Sequence, residues 1–261
     1  MEKNNESINT NTQNHTNANE GTTKPLPVYN LIILDKSGSM HCVKREAVDA
    51  YNETLGTIKA AQEKYIDCQQ QFISLALFCN CGIDMVYDRV PAAEAEMMEY
   101  DRYCPCCGTP LFDAIGTTIT QLKNYADAHG DYAALVTIIT DGYENASHEW
   151  TGAAIKSLIY ECRKKGWMVS FVGAMEDAEQ IALSISITNV SHWKQTHEGT
   201  QEMSCKEQSS RDRYFSRLKR NINHCISLNL SAEACIESRR NIAENYYDED
   251  NAEAPKEDTK K

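Results

Sequence analysis

Two apolar runs constrain this 261-residue chain more than any other feature: PVYNLIILD at 27–35 and YAALVTIITDG at 132–142. A strand with one wet face alternates apolar and polar residues. These runs are apolar nearly throughout and rich in branched side chains, the pattern of strands covered on both faces. Each delivers an aspartate at its carboxyl end, Asp35 and Asp141. Further runs predict strands at FISLALFCN (72–80), CGIDMVYD (81–88), WMVSFVGA (167–174) and NVSHWK (189–194). Between them lie helical patterns. Residues 43–67 place Val43, Ala47, Ala50, Tyr51, Leu55, Ile58 and Ala61 at helical spacing. Residues 109–130 open with Thr109 at an N-cap and Pro110 at the first helical position. Residues 151–166, 175–186, 198–229 and 231–246 also read as helical. Strands alternating with helices predict an α/β fold with a mostly parallel sheet and helices on both faces. Only Asn80, Cys81 and Gly82 separate the cores of the second and third strands, which predicts a hairpin and one antiparallel edge strand.

The ends differ from the middle. Residues 1–24 carry almost no apolar side chain and read as a disordered polar tail, because burial cannot offset the entropy of ordering them. Residues 247–261 read as a second, charged tail, which leaves 25–197 for one α/β domain and 198–246 for a C-terminal helical extension. A net charge of −12 without a basic stripe argues against a nucleic-acid partner. No apolar run reaches the length of a membrane span. The N-terminus lacks the apolar segment of a signal peptide, and there are eleven cysteines, so the expected setting is reducing and cytoplasmic.

Ligands of open parallel sheets gather at the carboxyl ends of the strands. Asp35 closes the first strand there, and Ser37 and Ser39 follow, with Gly38 permitting a tight turn. Thr109 begins a helix and Asp141 closes the fourth strand. These residues make an oxygen-only donor set, two anionic and three hydroxylic, which is the choice of a small hard cation such as Mg²⁺ or Mn²⁺. Two carboxylates just balance a divalent charge, so the ion stays attractive to one further anionic oxygen. Nothing nearby supplies an obvious general base or nucleophile, and the set reads as a binding device rather than an enzyme. Each piece alone has a plainer reading: a capping turn, an N-cap, a strand-exit turn. Three of them in one order, each at an element junction, favour a site.

DKSGSM (35–40), GTPLFDAIG (108–116) and ITDGYENAS (139–147) together resemble the von Willebrand factor A (VWA) domain and its metal-ion-dependent adhesion site (MIDAS), in that family's order. The resemblance covers about 28–195, and GWMVSFVGAMEDAEQIA (166–182) is similar to the matching segment of bacterial and phage members. It implies a Rossmann-like three-layer sandwich, with Asp35, Ser37, Ser39, Thr109 and Asp141 holding Mg²⁺ or Mn²⁺. It also implies metal-dependent binding of an acidic residue of a partner protein, and a regulatory part for residues 198–229. Two other readings stand beside it. One is a structural module of a larger assembly whose metal takes no ligand. The other is a haloacid-dehalogenase-like phosphatase, which would need a second acid where Ser37 stands.

The segment YCPCCGTPLF (103–112) resembles a zinc knuckle through Cys104 and Cys107, spaced C-x-x-C. A structural zinc site needs four ligands, and the candidates for the other pair are Cys79 and Cys81 at the hairpin tip, with Cys106 as the spare. The second strand runs parallel to the first, so that tip is expected at the same end of the sheet as Asp35. Zinc there would stiffen the loop that positions Thr109. Free thiols or a disulfide are the alternatives, and the remaining cysteines read as core or surface thiols.

Overall fold

The computed structural model describes residues 24–248; the rest of the two predicted tails lies outside them. β1 (Leu26–Asp35) sits inside the sheet, buried on both faces from Val28 to Asp35. It pairs in parallel with β2 (Gln69–Cys79) on one side and β4 (Ala133–Thr140) on the other. With β3 (Gly82–Pro91), β5 (Met168–Gly173) and β6 (Asn189–His192) the sheet has six strands in the order β3-β2-β1-β4-β5-β6. Only β2 and β3 pair antiparallel, so the hairpin and the antiparallel edge expected from the sequence are present. β3 alternates exposed and half-buried residues, as an edge strand with one wet face does.

The alternation of β1 side chains explains the three layers. Val28, Ile32 and Leu34 face one core, built with α1 (Lys44–Lys64), α5 (His197–Ser227) and α6 (Ala232–Glu244). Tyr29, Leu31 and Ile33 face a second core, built with α2 (Leu111–Ala128), α3 (Gly152–Lys164) and α4 (Ala178–Ser184). Each aliphatic side chain so buried stabilises the fold by about 1.5–3 kcal/mol relative to exposure. The result is a Rossmann-like α/β sandwich. Among the described residues no helix is long and apolar enough to cross a membrane.

Two expectations need correction. Thr109 is not the cap of α2. The helix begins at Leu111, and its early N–H groups are taken by the loop after β4: Phe112 N–H donates to Glu144 Oε2 at 2.8 Å and Asp113 N–H to Ser147 Oγ at 3.0 Å. The charged tail also does not start at 247. Tyr246 is fully buried and Tyr247 packs against the same core, with both phenol hydroxyls donating to the Glu207 carboxylate of α5. Two aromatic rings with a buried acceptor outweigh the polar composition of the residues that follow.

Candidate functional site

The carboxyl ends of β1 and β4 lie side by side, which brings the Asp35 turn and the Asp141 loop together. Asp35 is 0 % exposed. Its Oδ1 accepts the Ser37 N–H at 2.7 Å and its Oδ2 the Thr140 hydroxyl at 2.6 Å. The Tyr103 hydroxyl donates to the Asp35 carbonyl. The aspartate is therefore fixed at side chain and backbone alike. From it a chain of oxygens runs outward: Ser37 Oγ lies 3.2 Å from Ser39 Oγ, and Ser39 Oγ donates to Asp141 Oδ1 at 2.6 Å.

Thr109 reaches the same place from the opposite loop. Asn145 holds it, accepting the Thr109 N–H at 2.8 Å through Oδ1 and donating its own N–H to the Thr109 carbonyl at 3.1 Å. Gly142 reveals the convergence. A Cβ added there would lie 3.0 Å from Thr109 Oγ1, 3.4 Å from Ser39 Oγ and 3.6 Å from Asp35 Oδ2. Oxygens from two separate segments thus face Gly142 of a third across one small cradle that any larger residue at 142 would fill. All five oxygen-bearing residues singled out in the sequence meet here.

The electrostatics are unbalanced. Burial pushes the Asp35 carboxyl up to about 6, against the opposing hydrogen bonds from Thr140 and Ser37 and with some help from the charge of Asp141. Burial likewise raises Asp141, opposed by hydrogen bonds from Ser39 and Gln195. No cationic side chain is among the main causes of either shift. Two acids drawn out of water, with no cation among the main influences on either, suit a cation, and the all-oxygen donors suit a hard one.

Several contributors escaped the sequence reading. Thr140 is one residue from Asp141 and looked like an ordinary strand position. Tyr103 and Asn145 act as positioners from loops, and Gln195 donates to Asp141 Oδ2 at 3.2 Å from the segment entering α5. Nothing in their local sequence marks them. Asp113 was also missed. Its carboxylate accepts the backbone N–H groups of His148 (2.8 Å), Glu149 (2.9 Å) and Trp150 (2.8 Å), and so fastens the Asp141 loop to the first turn of α2.

The cysteine expectation is corrected in part. Cys79, Cys81 and Cys107 do gather at the hairpin tip, but Cys104 does not. Its Sγ turns away toward the Asp101 carbonyl at 3.4 Å. Cys106 takes its place, 3.5 Å from Cys79 and 4.0 Å from Cys81, while Cys107 lies 3.4 Å from Cys81. The reason lies in the backbone. The Cys106 N–H donates to the Lys36 carbonyl at 2.8 Å, and Cys107 adopts φ 61°, so the loop reverses and presents consecutive thiols to the tip.

No protein-family model and no curated protein matches the sequence. Solved structures do. The pilus adhesin SpaC from Lactobacillus rhamnosus GG superposes with a TM-score of 0.52 at 14% identity, over 74% of this chain and 31% of that one. The SpRpn10 VWA domain gives 0.45 at 8% identity, over 68% and 93%. Proximal thread matrix protein 1 from the mussel byssus, in a structure with a zinc-occupied MIDAS motif, gives 0.46 at 16% identity, over 69% and 46%. The chain spans less than half the length of the first solved structures it matches. At such identities the likeness is one of fold. Sheet order, the single antiparallel edge and helices on both faces are those of the Rossmann-like sandwich expected from the sequence, and they agree with the resemblance of its motifs to the von Willebrand factor A domain.

Proposed function

We propose that this chain is a cytoplasmic, metal-dependent protein-binding module of the bacterial and phage VWA type, and not an enzyme. Asp35, Ser37, Ser39, Thr109 and Asp141 would hold Mg²⁺ or Mn²⁺, and the ion would supply positive charge for an acidic side chain of a partner protein. The observation that carries this reading is the cradle at Gly142, where Thr109 Oγ1, Ser39 Oγ and Asp35 Oδ2 converge beside two carboxyls raised by burial. Three of the five donor residues are neutral, so a bound divalent ion would keep affinity for an external anion. The protein's own part is positioning: Thr140 and the Ser37 N–H fix Asp35, Asn145 fixes Thr109, and Ser39 holds Asp141.

Titration calorimetry tests the reading. The wild-type chain is expected to take up one Mg²⁺ or Mn²⁺. Ser39→Ala and Thr109→Ala are expected to weaken uptake at least tenfold without loss of folding. Glutarate, a free dicarboxylate, is expected to bind only when the ion is present. No uptake by the folded wild-type chain would overturn the metal site. Uptake with no metal-dependent glutarate binding and no EDTA-sensitive partner capture would favour a structural module instead.

A further inference from the structure

The cysteine cluster is not used by the oxygen site and stands on its own geometry. Sulfurs from two separate segments meet: Cys79 and Cys81 from the end of β2 and the hairpin turn, Cys106 and Cys107 from the loop before α2. The separations of 3.5, 4.0 and 3.4 Å are far too long for a disulfide, which needs about 2.05 Å between sulfurs. They bracket the edge of a tetrahedron whose corners lie 2.3 Å from a central ion, an edge of about 3.8 Å for zinc–thiolate bonds. Cys79, Cys81 and Cys106 are mutually close enough to share one ion. Cys107 stands outside that group of three but lies 3.4 Å from Cys81 on the exposed side, so a rotation of its side chain is needed for it to complete the four.

Packing does not account for the gathering. Cys81 and Cys107 are exposed and bury little, and thiols are weak hydrogen-bond donors. Cys107 also holds a left-handed backbone that is unfavourable for a non-glycine residue. Three backbone hydrogen bonds over-determine that turn: Gly38 N–H to the Cys107 carbonyl (2.9 Å), Cys106 N–H to the Lys36 carbonyl (2.8 Å) and Asn80 N–H to the Gly108 carbonyl (3.0 Å). They place three of the thiols within reach of one soft ion and the fourth, Cys107, beside them.

We infer that Cys79, Cys81, Cys106 and Cys107 form a structural tetrathiolate site for one zinc ion, clamping the β2–β3 hairpin tip to the loop that leads to Thr109. Binding would release the thiol protons to solvent and change no oxidation state. Four thiolates around Zn²⁺ leave a net charge of −2, and Lys36 stands close enough to Cys81 to offset part of it. The site is separate from the oxygen cradle in both donors and metal class, so each can fail without the other.

Cobalt substitution distinguishes the two. The reduced, metal-stripped full chain is titrated with Co²⁺ and followed in the visible and near-ultraviolet. One equivalent is expected to give the strong tetrahedral bands and the sulfur-to-cobalt charge-transfer band that an oxygen site cannot produce, and one equivalent of Zn²⁺ is expected to bleach them. Cys104→Ser is expected to leave the spectrum unchanged. Cys81→Ser and Cys106→Ser are expected to weaken Co²⁺ binding at least tenfold, with circular dichroism confirming the fold; Cys81 is exposed, so its variant keeps the test valid if Cys106→Ser unfolds. Absence of a sulfur–cobalt band in the wild type would overturn the site. So would loss of that band in Cys104→Ser with retention in Cys81→Ser and Cys106→Ser.

Discussion

Asp35 carries a clear pH signature. Its folded value of about 6 lies above the value of about 3.9 for an unfolded aspartate. A raised carboxyl means that the folded chain binds this proton more tightly than the unfolded chain. Its contribution is therefore most favourable below about pH 4 and is lost as the pH rises through 6, a swing of up to about 3 kcal/mol. In EDTA at pH 7.5, Asp35→Asn is expected to melt above the wild type, and the gap is expected to close near pH 4. Equal destabilisation by the variant at both pH values would refute the assignment. The five oxygen residues were legible because each sits in a short cluster of chemically specific types. Cys106 was not, because the choice between Cys104 and Cys106 depends on a left-handed turn at Cys107 that spacing does not encode.

Between elements, the loop after β4 and the first turn of α2 cap one another. Glu144 accepts from Phe112 N–H at 2.8 Å, from Ala146 N–H at 2.9 Å and from Ser147 N–H at 2.7 Å, while Asp113 accepts three N–H groups in return. Burial raises the Asp113 carboxyl, but the N–H groups of His148, Trp150 and Glu149 bring it below the usual carboxylate range. Asp113→Ala should cost about 2–3 kcal/mol in urea unfolding, the scale of lost charge-assisted hydrogen bonds. It should also weaken Mg²⁺ uptake, because the latch joins the loops of Asp141 and Thr109; a change below about 0.5 kcal/mol would show that the latch is ornamental. This pairing also explains why the N-cap expectation for Thr109 failed. A Thr-Pro pair reads locally as a helix start, yet acceptors more than thirty residues away in sequence satisfy the helix and leave the Thr109 hydroxyl free for the cradle.

Across the whole molecule, the sheet and its two covers were readable because unbroken apolar runs admit few alternatives. The seating of the C-terminal helices was not, since it depends on partners from distant segments. α5 docks through buried Tyr214, Phe215 and Leu218; exposed pairs such as Lys64–Asp212 at 3.1 Å add at most about 1 kcal/mol. In the middle of this interface lies a buried charge pair. The Arg211 guanidinium donates to Thr137 Oγ1 of β4 at 2.9 Å and approaches Glu207 at 4.0 Å, while Tyr246 and Tyr247 cover the acid. Burial raises the Glu207 carboxyl, and Arg211 opposes that rise. Removing one partner strands the other charge, so Arg211→Met should cost about 3–5 kcal/mol. The pair itself need not be net stabilising, because its mutual attraction only offsets the desolvation of both groups. Arg211→Met combined with Glu207→Leu should therefore cost less than Arg211→Met alone, as read from urea unfolding midpoints at pH 7. Strict additivity of the two single changes would mean that Arg211 and Glu207 do not interact, and that α5 is held by its apolar stripe without them.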